Sequence, residues 1–292
     1  MYTITFEKRY KPLVVLYHGN CMDGFTAAWV AKLRHPDALL LPCLHGAEVP
    51  DFPPAADVVM VDFSYPRPIM DMLLLIITQA GGTFVVLDHH ATAKAALDGF
   101  PGATFNLHRS GARLAWDYFF PLEPSVPPLV AYVEDRDLWR FALPFSREIN
   151  ALVEASVRTP ASWDDLDQFL MHKRDDAVTL GAAILRAFET WTNVICNEVV
   201  FYAIAGLRVP TVNTSVQFAE VCQELLRRHP EATVTAYYIN RGDGFQQWGL
   251  RSRADVDCSV LAREFGGGGH PQAAGFQLSP AQQLATPFPR VA

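Results

Sequence analysis

The chain has 292 residues, half of them hydrophobic and 19% charged, which excludes wholesale disorder and supplies a sizeable core. Its length points to two domains. A formal net charge of −7 argues against a long-duplex DNA binder, which carries a basic face, yet is compatible with a short anionic substrate in a locally basic pocket.

In chain order, LVVLY reads as a buried strand and FTAAWVAKLRH as a helix, with the polar knot HGNCMDG between them. ALLLPCL and DVVMVDF are strands, and the second ends at Asp62. IMDMLLLIITQAG is a helix closed by Gly81 and Gly82, and TFVVLDHH is a strand ending in a polar cluster. ARLAWDYFF is a helix, and LVAYVEDRDLW a further helix or turn. Short apolar runs alternating with helical patterns predict an α/β fold with a mostly parallel sheet and flanking helices, residues 1–160. Residues 161–198 read as a helical connector. From 199 the pattern changes to a smaller α+β domain ending near 279. There VFYAIAGLRV is a hairpin, VQFAEVCQELLRRH a helix, TVTAYYIN and FQQWGLRS paired strands, and VDCSVLAREF a helix before GGGGHPQAAGF. Residues 280–292 form a Pro-containing tail expected to fray.

No apolar run approaches the roughly 18 residues that span a membrane, so no membrane association is expected. MYTITFEKRYKP has no apolar signal core. The five cysteines, Cys21, Cys43, Cys196, Cys222 and Cys258, include no CxxC pair. These features fit a reduced, cytoplasmic protein.

Metal-capable groups stand at successive strand ends: His18 with Asp23, then Asp62, then Asp88, His89 and His90, with Asp135 and Asp137 following in EDRD. Strand ends of a parallel sheet converge at one edge, where ligands bind. Carboxylates gathered there repel one another unless a cation is present. Carboxylate and imidazole without a thiolate cluster suit Mn²⁺, and Zn²⁺ or Fe²⁺ less clearly. Two such ions about 3.5–4 Å apart would clamp a phosphoryl group and activate water. Each position also has a plainer reading. Asp62 is a helix cap, a lone His89 or His90 is a hydrogen-bonded structural residue, and Asp137 pairs with Arg136 or Arg140.

VVLDHH, the preceding VVMVDF and the later GGGGHPQAAGF together resemble the DHH phosphoesterase family, in the branch with the DHH-associated C-terminal domain. That branch includes nano-RNA exonucleases, pAp phosphatases, cyclic-dinucleotide phosphodiesterases and single-strand DNA exonucleases. The resemblance covers about residues 13 to 278, with its two strongest motifs about 180 residues apart. It implies that Asp23, Asp62, His89 and Asp135 hold one or two Mn²⁺ ions, with Mg²⁺, Zn²⁺ or Fe²⁺ as substitutes. His18 and Asp88 complete the shell, and Asp137 stands in reserve for Asp135. It places Asp62, Asp88, His89 and His90 in the catalytic set, with His90 orienting the substrate or polarising its phosphate. LHRSGARLAW resembles the family's Ser-Gly-Ala helix start, where Ser110 and backbone N–H groups face an anion and Arg109 or Arg113 contacts phosphate. The resemblance leaves room for a homodimer.

The C-terminal glycine run also reads by itself as an anion cradle. Gly267, Gly268 and Gly269 free backbone N–H groups for a phosphate, His270 lies beside them, and Arg251 and Ser252 are natural phosphate partners. The bland alternative is a flexible loop.

HGNCMDG departs from the family's first motif by placing Cys21 where an aspartate is expected. The turn is re-registered so that His18 or Asn20 fills the position, or Cys21 is itself a ligand, or the site is weakened. A cysteine nucleophile is disfavoured, because surrounding carboxylates raise the thiol pKa. The expected function is a metal-dependent phosphodiesterase or exonuclease that hydrolyses short oligonucleotides to mononucleotides. The alternatives are a phosphomonoesterase acting on pAp or polyphosphate, and a degenerate nucleotide-binding regulator. Trp139, Tyr132 and Trp248 are candidates to stack a base, or else core residues.

Overall fold

The computed structural model describes residues 11–19, 21–285 and 288–291. The chain divides into two compact units between Ala182 and Ala183.

The first unit opens with β1 (Leu13–His18), α1 (Met22–Arg34), β2 (Leu39–Cys43), β3 (Asp57–Val61), α2 (Arg67–Gln79), β4 (Phe84–Asp88), α3 (Ala91–Ala96) and β5 (Ala103–Phe105). These five strands form one parallel sheet in the order β2-β1-β3-β4-β5. β1, β3 and β4 are rich in valine and covered on both faces, as central parallel strands are. Val14, Leu16, Val58, Met60 and Val86 pack with Met70, Leu73 and Ile77 of α2. The three α2 residues lie on one helical stripe. α1 is covered nearly along its whole length, with Ala27, Ala28 and Ala31 fully buried, so neighbouring backbones approach closely.

Four helices follow: α4 (Gly111–Phe119), α5 (Pro128–Asp137), α6 (Ser146–Ala155) and α7 (Pro160–His172). The short elements α3 and β5, and α6, carry no strong sequence signal. α6, for instance, starts from Phe145 in the left-handed region without a side-chain cap. α7 corrects the predicted connector, because it packs inside the first unit. The Trp163 indole donates to Thr26 Oγ1 at 3.0 Å, and Asp167 accepts from the Leu129 N–H at 3.0 Å. Only α8 (Arg174–Cys196) runs from the first unit into the second.

The second unit contains β6 (Val200–Ile204), β7 (Leu207–Asn213), α9 (Phe218–Arg228), β8 (Val234–Asn240), β9 (Gln246–Ser252), α10 (Cys258–Glu264), β10 (Gly268–His270), β11 (Ala273–Leu278) and α11 (Pro280–Ala285). Its sheet runs β10-β11-β9-β8-β7-β6, antiparallel except for the β7–β8 pair. The predicted hairpin forms with Ala205 and Gly206 both at positive φ, a two-residue turn whose twist suits the strands.

The glycine run proves to be regular structure rather than a loop. Gly266, at φ 78°, ends α10, with its N–H on Arg263 O and the Gly267 N–H on Ala262 O. That is a Schellman ending. Gly268 to His270 then form β10, paired with β11. A Cβ at Gly267 would meet Gly275 O at 2.0 Å, and one at Gly269 would meet Ala273 O at 2.5 Å. Close backbone packing therefore demands these glycines without any ligand. Among the described residues, no helix is long and apolar enough to cross a membrane.

Candidate functional site

In a sheet ordered β2-β1-β3-β4-β5, the chain leaves β1 toward one edge and β3 toward the other. A crevice opens between their carboxyl ends, where open α/β sheets hold their ligands. His18 is the last residue of β1, and Asp62 follows β3 directly. The Asp62 N–H still bonds to Leu87 O at 2.9 Å, while its φ of 54° turns the side chain into the crevice. A left-handed aspartate is uncommon, and such positions gather at functional sites. Asp88 ends β4 and delivers His89 and His90 to the same place.

Asp62 is the hub. One carboxylate oxygen, Oδ1, lies 3.1 Å from His89 Nε2 and 4.0 Å from His90 Nδ1. The other, Oδ2, lies 3.5 Å from His18 Nδ1. Among the described residues, neither Asp62 Oδ2 nor His18 Nδ1 has a hydrogen-bond partner, although both atoms are buried. Two orphaned donor atoms facing each other in an acidic crevice fit a pair of ligands for a cation. Burial would raise the Asp62 carboxyl, but His18, His89 and His90 outweigh it and hold it well below the usual range.

Asp88 orients the strand end. Its Oδ1 accepts from the His89 and His90 N–H groups at 2.7 and 3.1 Å and lies 2.7 Å from His90 Nδ1. Its Oδ2 accepts from Ser64 Oγ at 3.2 Å. Cys21, just before α1, offers its sulfur within 4.8 Å of ligand atoms of His18 and Asp62. Burial, then Asp62 and Asp23, push this thiol well above its ordinary pKa, which makes it a poor nucleophile. Asn20, the other sequence candidate for this turn, lies outside the described residues.

Asp23 enters from the first turn of α1. Its two oxygens accept from Gly111 N–H at 2.5 Å and Ala112 N–H at 2.9 Å. The start of α4 therefore faces an internal carboxylate, which corrects the expectation of an external anion there. Ser110 is buried and serves as the α4 cap, accepting from the Arg113 N–H at 3.2 Å. Burial, then Asp137 and Asp62, hold the Asp23 carboxyl well above its ordinary value.

The structure corrects the choice within EDRD. Asp135 is buried and accepts from the Ala142 and Leu143 N–H groups at 3.0 and 3.1 Å, tying down the loop after α5. Asp137, the reserve candidate, brings its carboxylate to 3.6 Å from His89 Nε2. Two residues apart on a helix are about 200° apart in direction, so only one of the pair reaches the crevice. His45, missed by the sequence reading, lies in the loop after β2 with its ring 5.4 Å from that of His18. A lone histidine after a strand gave no signal.

The other predicted contact residues are placed as follows. Arg109 Nη1 reaches Glu134 Oε1 at 3.4 Å, and Arg113 pairs with Asp117 at 2.8 Å. Ser252 is buried and donates to Val256 O at 2.5 Å, which removes it from the anion contacts. Arg251 Nη1 donates to Leu250 O at 3.0 Å, and His270 ends β10, partly buried. Tyr132 and Trp248 are core residues, and Trp139 is exposed.

Burial opposes charge on His89 and His90, but the carboxylates win. His89 is raised to about 10 by Asp62, Asp137 and Asp23, and His90 to about 9 by Asp88 and Asp62. Both values exceed the ordinary 6.5, so the resulting stability is fully present below that pH and lost as pH rises through about 9 and 10. In chelator, the melting temperature is expected to fall between pH 7 and 10, and to fall less in His90→Asn. A flat profile in the wild-type chain would contradict this charge assignment.

Residues 202–286 match the DHHA1 domain model. The chain is 29% identical over 297 residues to the uncharacterized protein R106 of Acanthamoeba polyphaga mimivirus, covering 91% of this chain and 67% of that one. The structure of RecJ from Thermus thermophilus in complex with Mn²⁺ superposes with a TM-score of 0.51 at 17% identity, over 94% of this chain. This chain spans half of that RecJ chain. The pGpG-specific phosphodiesterase PggH of Vibrio cholerae gives a TM-score of 0.48 at 13% identity, over 94% of this chain and 96% of that one. The second unit thus carries the DHHA1 match, and the first unit, with its Asp88-His89-His90 strand end, has the fold of RecJ and resembles the DHH phosphoesterases.

Proposed function

We propose that this protein is a divalent-metal-dependent phosphodiesterase, an exonuclease that trims short oligonucleotides to mononucleotides. One observation carries the reading. His18, Asp23, Asp62, His89 and Asp137 crowd around a single crevice in which Asp62 Oδ2 and His18 Nδ1 face each other unsatisfied. Those five residues would hold the metal. A divalent ion bound there would relieve the carboxylate repulsion and supply Lewis acidity toward a phosphoryl oxygen and activation of water. Mn²⁺ is the first ion to test, since the RecJ structure of like fold was solved with it.

The chain's own residues supply the rest. Asp88 fixes the His90 ring through Nδ1, so that a protonated imidazole is aimed at substrate and can steady charge on a phosphate oxygen. The Asp62 backbone, pinned to Leu87 O, keeps the hub carboxylate from swinging away. The acidic balance of the chain favours short substrates over long strands.

The test is hydrolysis of a 5′-labelled dinucleotide, a longer oligomer and pAp, each with Mn²⁺, Mg²⁺ and Zn²⁺. Cleavage of the dinucleotide to mononucleotides is expected. Turnover of pAp alone would replace the proposal with a phosphomonoesterase. Silence with every ion would leave a nucleotide-binding module.

A further inference from the structure

The three ligand candidates nearest the strand switch are of mixed chemistry. They are the His18 imidazole, the Asp62 carboxylate and the Cys21 thiol, all within 4.8 Å of one another. Cys21 adopts the extended backbone of a helix N-cap and makes no regular side-chain capping bond, so its sulfur has at most a weak contact with the Gly24 N–H. The second, independent observation is the buried Asp62. Its Oδ2 has no hydrogen-bond partner among the described residues and faces His18 Nδ1, likewise unpartnered, at 3.5 Å.

We infer that His18, Cys21 and Asp62 form a sulfur-containing subsite that selects a borderline divalent ion, Zn²⁺ or Fe²⁺, over Mn²⁺ or Mg²⁺. This rests on the reading of the crevice as a metal centre, but not on which phosphoester is hydrolysed. Thiolate is a soft ligand that hard Mg²⁺ and Mn²⁺ do not favour, whereas Zn²⁺ and Fe²⁺ accept mixed sulfur, nitrogen and oxygen sets. The spacing agrees. Two ligands on a tetrahedral ion with bonds of about 2.1 Å sit about 3.4 Å apart. Adjacent ligands on an octahedral ion with similar bonds sit about 3.0 Å apart. The 3.5 Å between His18 Nδ1 and Asp62 Oδ2 leaves both atoms within reach of one such ion. On metal binding Cys21 would lose its S–H proton to solvent as the S–metal bond formed, with no change of oxidation state. An aspartate at this position would give an all-oxygen-and-nitrogen site. Cysteine converts the same turn to a different metal preference without disturbing the fold.

The experiment uses the full chain, stripped with chelator and reloaded with Co²⁺, whose absorption reports its ligands. A thiolate-to-cobalt charge-transfer band in the near ultraviolet is expected, together with the intense visible bands of a tetrahedral ion. Cys21→Ser should abolish the charge-transfer band. It should weaken Zn²⁺ binding by titration calorimetry more than ~10-fold while changing Mn²⁺ affinity less than ~3-fold. Cys21→Asp should keep a metal site without the thiolate band and move its preference toward Mn²⁺. Anaerobic titration with Fe²⁺ and with Zn²⁺ tells which of the two binds more tightly. Stoichiometric Co²⁺ binding to the wild-type chain without a thiolate band would overturn the inference. So would a Cys21→Ser variant with unaltered Zn²⁺ affinity. Failure of hydrolysis leaves these readouts intact, and failure of the thiolate band leaves the phosphodiesterase proposal standing on the remaining ligands.

Discussion

Asp137→Ala is expected to reduce hydrolysis by about 10³-fold or more without lowering the melting temperature, whereas Asp135→Ala is expected to do the reverse. The two aspartates share α5 and are separated by one residue, so the contrast tests direction rather than composition. Asp137 stands 3.6 Å from His89 Nε2, among the residues that would hold the ion. Burial, with Asp62 adding to it, holds its carboxyl above the ordinary value despite His89. An acid whose pKa is raised by folding costs stability once ionised, so deleting it leaves the metal-free fold as stable or slightly more so. Asp135 instead accepts two backbone N–H groups of the loop that follows. Removing the acceptor of two partly buried N–H groups costs about 1–3 kcal/mol, which in a chain of this size lowers the melting temperature by roughly 2–10 °C. Thermal melts and single-turnover hydrolysis of the dinucleotide, run on both variants, separate the effects. Loss of activity from Asp135→Ala with unchanged melting, and full activity in Asp137→Ala, would restore the sequence-based choice.

Gly111→Ala should weaken metal binding and destabilise the fold, although alanine is normally the better helix former. Gly111 opens α4 without a positive φ, so conformational freedom is not its reason for being there. Space is. A Cβ at this position would lie 2.4 Å from Asp62 Cβ and 2.9 Å from Asp23 Oδ2. Neither neighbour yields easily. Asp62 is pinned through its N–H to Leu87 O, and Asp23 is held by the N–H groups of Gly111 and Ala112. The added methyl must push α4 away from α1 or rotate the hub carboxylate out of line. Overpacking of this kind costs about 1–3 kcal/mol, and a displacement near 1 Å at reacting groups costs about 10²-fold in rate. Mn²⁺ titration of the purified variant beside its thermal melt is the check. Wild-type affinity in a stably folded Gly111→Ala chain would show that the crevice is looser than these distances state.

The Ser-Gly-Ala stretch therefore has a role different from the one its sequence suggests. A helix N-terminus attracts anions, and the sequence alone offers an external phosphate as the natural occupant. In the fold the occupant is Asp23, brought from 88 residues earlier in the chain. The interaction is sound chemistry with a different partner, and only the packing of α1 against α4 identifies it. The same holds for the four glycines. Their freedom is used to end α10 and to let β10 lie against β11. A phosphate there would be an additional role rather than the reason for the residues.

What the sequence by itself determined was the architecture of the first unit and the location of its chemistry. Runs such as LVVLY, DVVMV and FVVLD are short, valine-rich and alternate with helical patterns, which together point to central parallel strands. Once they are parallel, His18, Asp62 and Asp88-His89-His90 must meet at one edge, because each ends its strand. Tertiary structure alone decided between Asp135 and Asp137, turned Ser110 and Ser252 inward, drew α7 into the first unit and set Cys21 beside His18 and Asp62. The difference is physical. Strand direction and burial are local consequences of apolar pattern, read two residues at a time. The phase of a helix, the partner of a capped N–H and the clearance around a glycine depend on backbones far apart in the chain, and no spacing within the sequence encodes their distance.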